Sequence, residues 1–280
     1  MDFQKPVTDL IKKRTSVRTY RTDDLPDNIL EQIQSVLNHT TQGIFGNTAS
    51  FNIVSNNSNF QEMKAKIGTY GFISGAKYYI AGTIEPKEYA FEDYGYLFEK
   101  IILHLTDMGL GTCWLGGTFK QSDFAKHIHI AENHIIPAVS PFGYAATQNL
   151  KEKLIRKAAK ANKRKSWREL FFDKDINIPL TEAAADHYAI PLEMLRKAPS
   201  ASNKQPWLII KTHNQFDFYL NRTPGYKLLF SQNDLQRIDM GIALAHFELS
   251  CKEKNLDGYW KRETPTKLQG GLKYICSWIY

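Results

Sequence analysis

Cysteine is scarce in this chain: three residues among 280, Cys113, Cys251 and Cys276, an odd number with no CxxC spacing. That excludes a disulfide framework or a thiolate zinc site as the organising feature, and reduced, buried thiols are expected. Long hydrophobic runs are missing too. No apolar stretch approaches the roughly 20 residues of a membrane span, and "DFQKPVTDLIKKR" after Met1 has no signal-peptide core. A cytosolic protein without a membrane partner is therefore expected. Compositional bias is also lacking: 42% hydrophobic and 23% charged residues are ordinary for globular chains and argue against disorder.

What stands out is an uneven charge. The formal net charge is +7, yet residues 151–168, "KEKLIRKAAKANKRKSWR", hold nine Lys or Arg against one Glu. The rest of the chain is close to neutral, so the basicity belongs to one segment. As a helix it would present Lys151, Arg156 and Lys160 to phosphates, and binding would fall steeply with salt. No nucleic-acid motif accompanies it, so a nucleic-acid partner is not expected.

The chain also repeats itself. "DYGYLFEKIILHLTDMGLGTCW", Asp93 to Trp114, lies without gaps over "DMGIALAHFELSCKEKNLDGYW", Asp239 to Trp260, at an offset of 146. Asp93 meets Asp239, Gly95 meets Gly241 and Trp114 meets Trp260. Tyr94, Leu97, Ile101 and Leu105, like Met240, Ala243, Phe247 and Cys251, fall at spacings of three and four, which predicts a long amphipathic helix in each copy. Gly109 supplies the stop of the first. Upstream, "LEQIQSVLNHTTQ" followed by "FNIV" matches "LEMLRKAPSASNK" followed by "WLIIK". Each half is thus expected to run helix, strand, loop, long helix, over residues 1–170 and 171–280.

Three segments carry possible chemistry. In "RTSVR" an extended backbone would turn Arg14, Ser16 and Arg18 to one side, a forked cationic grip suited to a phosphate, although a solvated helix end has the same composition. "GLGTCWLGG", Gly109 to Gly117, follows a helix and breaks GxGxxG at Trp114, so it is no dinucleotide fingerprint. Its bare backbone beside Trp114 and Leu115 fits a planar heterocycle, or a capped helix end with a buried Trp. "APSASNKQPW", Ala198 to Trp207, offers Ser200, Ser202, Asn203 and Gln205 as donors and acceptors on a loop stiffened by Pro199 and Pro206. Local caps of a turn would use the same residues. His127, His129 and His134 lack accompanying carboxylates or cysteines and read as surface histidines rather than metal ligands. "FEDYGY" reads as core, from its helical spacing.

Together these segments resemble the flavin-dependent nitroreductases. RTSVRTY is similar to the family's RRSxRxF-like motif, GLGTCWLGG to its GLGSCWxGG-like segment, and APSASNKQPW to APSAxNxQPW at every defined position. In ordinary members the last motif follows the first within a few dozen residues and a second subunit completes the site. Here it comes more than 180 residues later. The chain is therefore similar to a branch in which two nitroreductase halves are fused into a pseudo-dimer. The resemblance implies an α+β fold, a three-layer α-β-α sandwich, internally duplicated.

The resemblance further implies FMN as cofactor, with Arg14, Ser16 and Arg18 on its phosphate and ribityl oxygens and Arg164 and Lys165 as a further phosphate pair. It places Trp114, Leu115, Gly116 and Gly117 along the ring with a backbone amide near N5, and Pro199, Ser200, Ala201 and Asn203 on it from the second half. No protein residue is expected as nucleophile, acid or base. The implied activity is an FMN-dependent NAD(P)H oxidoreductase that reduces a small acceptor, nitroaromatic-like or quinone-like, by ping-pong hydride transfer at N5. A flavin-binding protein without reductase activity would keep the same motifs. One chain supplies both halves of the site, so a monomer is expected to hold one FMN; the paired position, with Arg262 and Glu263 where Gly116 and Gly117 stand, is expected not to.

Overall fold

The computed structural model describes residues 2–55, 73–117, 119, 121–147, 163–226, 233–262 and 271–280. Lys151, Arg156 and Lys160 of the basic segment, and Glu263, lie outside the described residues.

The chain begins with α1 (Val7–Lys13) and α2 (Asp27–His39). Strand β1 (Ala49–Ser55) pairs antiparallel with β2 (Tyr78–Ile84), and the long helix α3 (Ala90–Asp107) follows. Short β3 (Gly111–Thr112) and β4 (Val139–Gly143) complete a sheet ordered β1-β2-β4-β3, antiparallel throughout. A second sheet is built from β5 (Phe171–Asp173), β6 (Trp207–Lys211), β7 (Gln215–Leu220), β8 (Tyr259–Lys261) and β9 (Lys273–Ile279), in the order β5-β6-β7-β9-β8. Only β5 and β6 run parallel in it. Helix α4 (Ala189–Arg196) precedes β6, and the second long helix, α5 (Leu235–Glu253), lies between β7 and β8.

Strand periodicity sorts side chains to two faces. Trp207 and Ile209 enter the main core while Leu208 and Ile210 face a smaller outer cluster, and Phe216, Phe218 and Leu220 of β7 point inward with the first pair. In the first sheet Ile80 and Ile84 face the main core. Tyr79 and Ala81 face outward, toward a helical turn at Gln121–Phe124, where Phe124 meets Tyr79 edge-on at 5.7 Å. The three cysteines are free and buried, as the composition led us to expect. Among the described residues no helix is long and apolar enough to cross a membrane.

The helices α3 and α5 pack along each other at the centre of the molecule. A Cβ on Gly95 would collide with the Ile238 carbonyl oxygen, and a Cβ on Gly241 with that of Glu92. Gly95 and Gly241 are paired positions of the repeat, and so are Glu92 and Ile238. The contact is reciprocal, the signature of a self-complementary two-fold interface. The fold is α+β and internally duplicated. Gly109 ends α3 at φ +81°, with its amide donating to Thr106 O at 3.0 Å and that of Leu110 to Leu105 O at 2.8 Å.

Candidate functional site

One cavity of about 540 Å³ opens where the halves meet, within the ~300–1,000 Å³ range of small-molecule sites. Its walls come from both halves. Helix α1 is seated between them: Val7, Leu10 and Ile11 pack with Leu103 of α3 and Met194 of α4. Thr8 donates from N and Oγ1 to Glu253 at the end of α5, at 2.8 and 2.9 Å. The helix stops at Lys13, and the following residues extend alongside β3, where the Val17 amide donates to Thr112 O at 2.8 Å. Arg14, Ser16 and Arg18 line the cavity as the sequence alternation predicts, but Thr15 between them lines it too; Val17 turns to Gly111, where a Cβ would lie 2.7 Å from Val17 Cγ2.

Arg14 is almost wholly enclosed, its side chain 6% exposed, with Nε 3.8 Å from Glu99 Oε1. Its Nη1 is buried with no hydrogen-bond partner among the described residues. A guanidinium N–H left bare in the interior costs on the order of 1–3 kcal/mol, so the site is built to receive an acceptor there. Glu99 is itself held by the Trp114 indole, which donates from Nε1 at 2.7 Å, and lies 2.9 Å from His246 Nε2. The other ring nitrogen, Nδ1, is 3.0 Å from Met194 O, an acceptor only, so it carries a proton. Across the cavity Arg164 donates to Lys197 O at 3.0 Å and to Asn203 Oδ1 at 3.3 Å. Burial, then the charges of Arg14 and Arg196, push its pKa down to about 10. Cations crowded this way favour an anion between them.

The loop Ala198–Trp207 forms the facing wall. Ser202, Asn203 and Gln205 all have positive φ, 49°, 55° and 49°, a left-handed conformation costly for residues with a side chain. Local bonds hold it: the Gln205 amide donates to Ser200 Oγ at 2.8 Å, Asn203 Nδ2 to Lys163 O at 2.9 Å, and Lys165 N to Gln205 Oε1 at 2.7 Å. Tyr226 Oη donates to Ser202 Oγ at 3.1 Å. Pro199, Ser200, Ala201 and Asn203 reach the cavity wall. Gln205 is buried behind the loop and serves as its brace.

Of the residues singled out in the sequence, Trp114, Leu115, Gly116 and Arg164 also line the cavity. Gly117 and Lys165 do not. Gly117 is exposed, and Lys165 Nζ donates to Gln205 O at 3.1 Å behind the loop. The Leu115 amide is committed to Val139 O at 2.9 Å, so it has no hydrogen for a ring nitrogen. The bareness of Gly116 serves packing, since a Cβ there would lie 2.7 Å from Leu235 Cδ2. His127 and His129 are exposed, and His134 sits half-buried with Nδ1 3.1 Å from Glu132 O. Among the described residues no cluster of His, Cys, Asp or Glu could hold a metal.

Sequence reasoning missed the cavity floor. Leu235, Ile238, Asp239 and Ile242, on the first turns of α5, line it at spacings of three and four. That stripe was visible in the sequence, but an amphipathic stripe points to core by default.

Comparisons with known proteins agree with this architecture. No curated protein matches the chain significantly. Among solved structures, one described as a "putative nitroreductase" from Thermotoga maritima aligns over 100% of this chain and 95% of its own, at 20% identity and a TM-score of 0.61, which places the two in one fold. A "Putative NADH dehydrogenase/NAD(P)H nitroreductase" of Bacteroides thetaiotaomicron covers 52% of this chain and 89% of its own, at 25% identity and a TM-score of 0.44. A nitroreductase of Bacteroides fragilis solved with bound FMN covers 52% and 92%, at 23% identity and 0.43. The reciprocal helix contact at Gly95 and Gly241 and every residue lining the cavity lie within residues 6–251, which the family model described as "Putative TM nitroreductase" matches, and to that nitroreductase family the chain belongs.

Proposed function

We propose that this chain is an FMN-dependent oxidoreductase that takes hydride from NADH or NADPH and passes it to a small acceptor, nitroaromatic-like or quinone-like. The observation that carries the reading is Arg14: a guanidinium enclosed beside the cavity with Nη1 lacking a partner among the described residues, across from Arg164. That donor set fits the phosphate of FMN. Family membership and the FMN bound in relatives such as that of Bacteroides fragilis support the cofactor. When bound, FMN would supply hydride-transfer chemistry between a nicotinamide and a small acceptor.

The chain's own residues bind and orient. Arg14, Ser16, Arg18 and Arg164 are assigned to the phosphate and ribityl oxygens, and Trp114, Leu115 and Gly116 to one side of the ring. Pro199, Ser200, Ala201 and Asn203 close the site from the other half, which requires the two halves, divided near residue 170, to act as a pseudo-dimer. Arg18 adds positive charge that would stabilise a reduced, anionic ring. Gly117 and Lys165 are assigned to neither ring nor phosphate; Lys165 braces the loop.

The test is spectroscopic and then kinetic. Purified or FMN-reconstituted protein is expected to show flavin absorbance, bleached within a stopped-flow shot by NADH or NADPH and restored by a quinone. Flavin retained but not reduced by either nucleotide would leave a flavin-binding protein without reductase activity. No flavin uptake would end the proposal.

A further inference from the structure

Paired positions of the repeat carry one instructive difference. Asp93 and Asp239 both reach from a long helix to the loop of their own half. In the first half the carboxylate is saturated: Oδ1 accepts from Phe45 N, and Oδ2 from Asn47 N and Nδ2, all at 2.9 Å. In the second half only Oδ1 is used, accepting from Ala201 N at 2.9 Å, and Oδ2 is buried without a partner among the described residues. Asp239 is 3% exposed, yet it lines the cavity, the one acid among the described residues that do. Its neighbours on that face of α5, Leu235, Ile238 and Ile242, are apolar. A single polar group on an apolar wall is the kind that fixes a ligand's orientation.

Resting on the cofactor reading above, we propose that Asp239 is a cofactor-binding residue that acts in its neutral form, donating a hydrogen bond from Oδ2 to an uncharged acceptor of the bound FMN, a ring carbonyl, ring nitrogen or ribityl hydroxyl. Two features decide donor over acceptor. Burial raises the Asp239 pKa well above the carboxylate range, and Asp234, just before the start of α5, adds to it. Lys12, Arg14 and Arg18 from the N-terminal segment, Arg164, and Lys197 also line the cavity or stand across it, but none comes close enough to offset that burial. A buried carboxyl with one N–H donor and no cation keeps its proton, and the proton needs somewhere to go.

Asparagine separates the alternatives, because its carbonyl can still accept from Ala201 N while its NH₂ donates and cannot accept. Apo-protein is titrated with FMN by quenching of flavin fluorescence for wild type, Asp239→Asn and Asp239→Ala. We expect Asp239→Asn to bind within about threefold of wild type and Asp239→Ala about tenfold or more weakly, one lost buried hydrogen bond plus a loosened loop. An Asn variant nearer to the Ala variant than to wild type on a logarithmic scale overturns the proposal, as does an Ala variant that binds like wild type. Should Asp239→Ala fail to fold, infrared difference spectra on adding FMN decide. A protonated-carboxyl stretch that shifts in wild type and is missing in Asp239→Asn is expected; its absence from wild type overturns the proposal. Wild-type protein that takes up no FMN refutes the cofactor reading and this inference together, and is recognised before any variant is compared.

Discussion

At the scale of single residues, Arg14 is the most exacting position in the molecule. Its Nε faces the fully buried Glu99 and its Nη1 faces nothing among the described residues, so removing it strips a cation from Glu99, which keeps the Trp114 and His246 contacts, as well as a donor from the cavity. Arg14→Ala is therefore expected to weaken FMN retention by about 1.5–3 kcal/mol, one to two decades in dissociation constant, and also to lower the unfolding midpoint of the apo-protein, so affinity is compared at a temperature where both proteins are folded. Equal affinity in variant and wild type by FMN titration would take Arg14 out of the site. A second residue sets a pH limit on stability. His104 is stacked on Phe3 at 4.1 Å, and burial first, then nearby positive charge such as Lys100, brings its pKa down from 6.5 to about 4. The unfolded chain takes up this proton near pH 6.5 and the folded one only near 4. Stability from His104 is thus intact above about pH 6.5 and is lost progressively as pH falls toward 4. Urea unfolding at pH 7 and pH 5 should show a smaller loss in His104→Phe than in wild type, and equal losses would refute the assignment.

At the scale of elements, the crossing of α3 and α5 rests on two glycines. In an exposed helix Gly→Ala would stabilise by about 1 kcal/mol through propensity alone. Here the added methyl of Gly241→Ala meets the backbone of Glu92 and Tyr96, which cannot swing aside as a side chain could. Overpacking of that kind costs about 1–3 kcal/mol or more and outweighs the propensity gain. Gly241→Ala and Gly95→Ala are each expected to lower the unfolding free energy by at least about 2 kcal/mol in denaturant titrations. A rise in either would show that the helices stand further apart than described. The same helix pair carries the crossing from Glu99 to His246, so a shift there would reach Trp114 and Arg14 as well.

At the scale of the whole molecule, the approximate two-fold relation creates a second position equivalent to the cavity, and among the described residues its side chains differ from those lining the first. Tyr89 stands where Leu235 lines the first site, Glu92 where Ile238 does, and Arg262 where Gly116 does. The Arg262 guanidinium lies 3.9 Å over the Tyr89 ring and bonds Glu88 at 3.1 Å, the Phe45 ring packs tilted against the same tyrosine at 4.8 Å, and Glu92 is paired with Arg237 at 2.6 Å. Rings and ion pairs stand where an apolar floor lines the first site. One FMN per chain is the expected stoichiometry, in a species of 32.2 kDa by light scattering. Two equal sites in a titration, or flavin lost in step with dissociation of a dimer, would contradict the divided arrangement.

Much of this was legible in the sequence because it is local or periodic. The 3.6-residue spacing predicted both long helices, the strands "FNIV" and "WLIIK" emerged as parts of Ala49–Ser55 and Trp207–Lys211, and alternation in RTSVR put Arg14, Ser16 and Arg18 on one side. The constant offset between the halves determined the duplicated fold, since paired residues in a two-fold contact must meet reciprocally. What only the tertiary structure decided depends on which partner a polar group finds across space. The Leu115 amide went to Val139, Lys165 to the back of the loop, and the bare Gly116 to Leu235. Asp93 and Asp239 look alike in the sequence, at the same place in the same helix. One is saturated by Phe45 and Asn47 and the other keeps a buried oxygen with no partner among the described residues, because the loops they reach differ in what they donate. Hydrogen-bond satisfaction is a property of the packed whole, and no spacing along the chain encodes it.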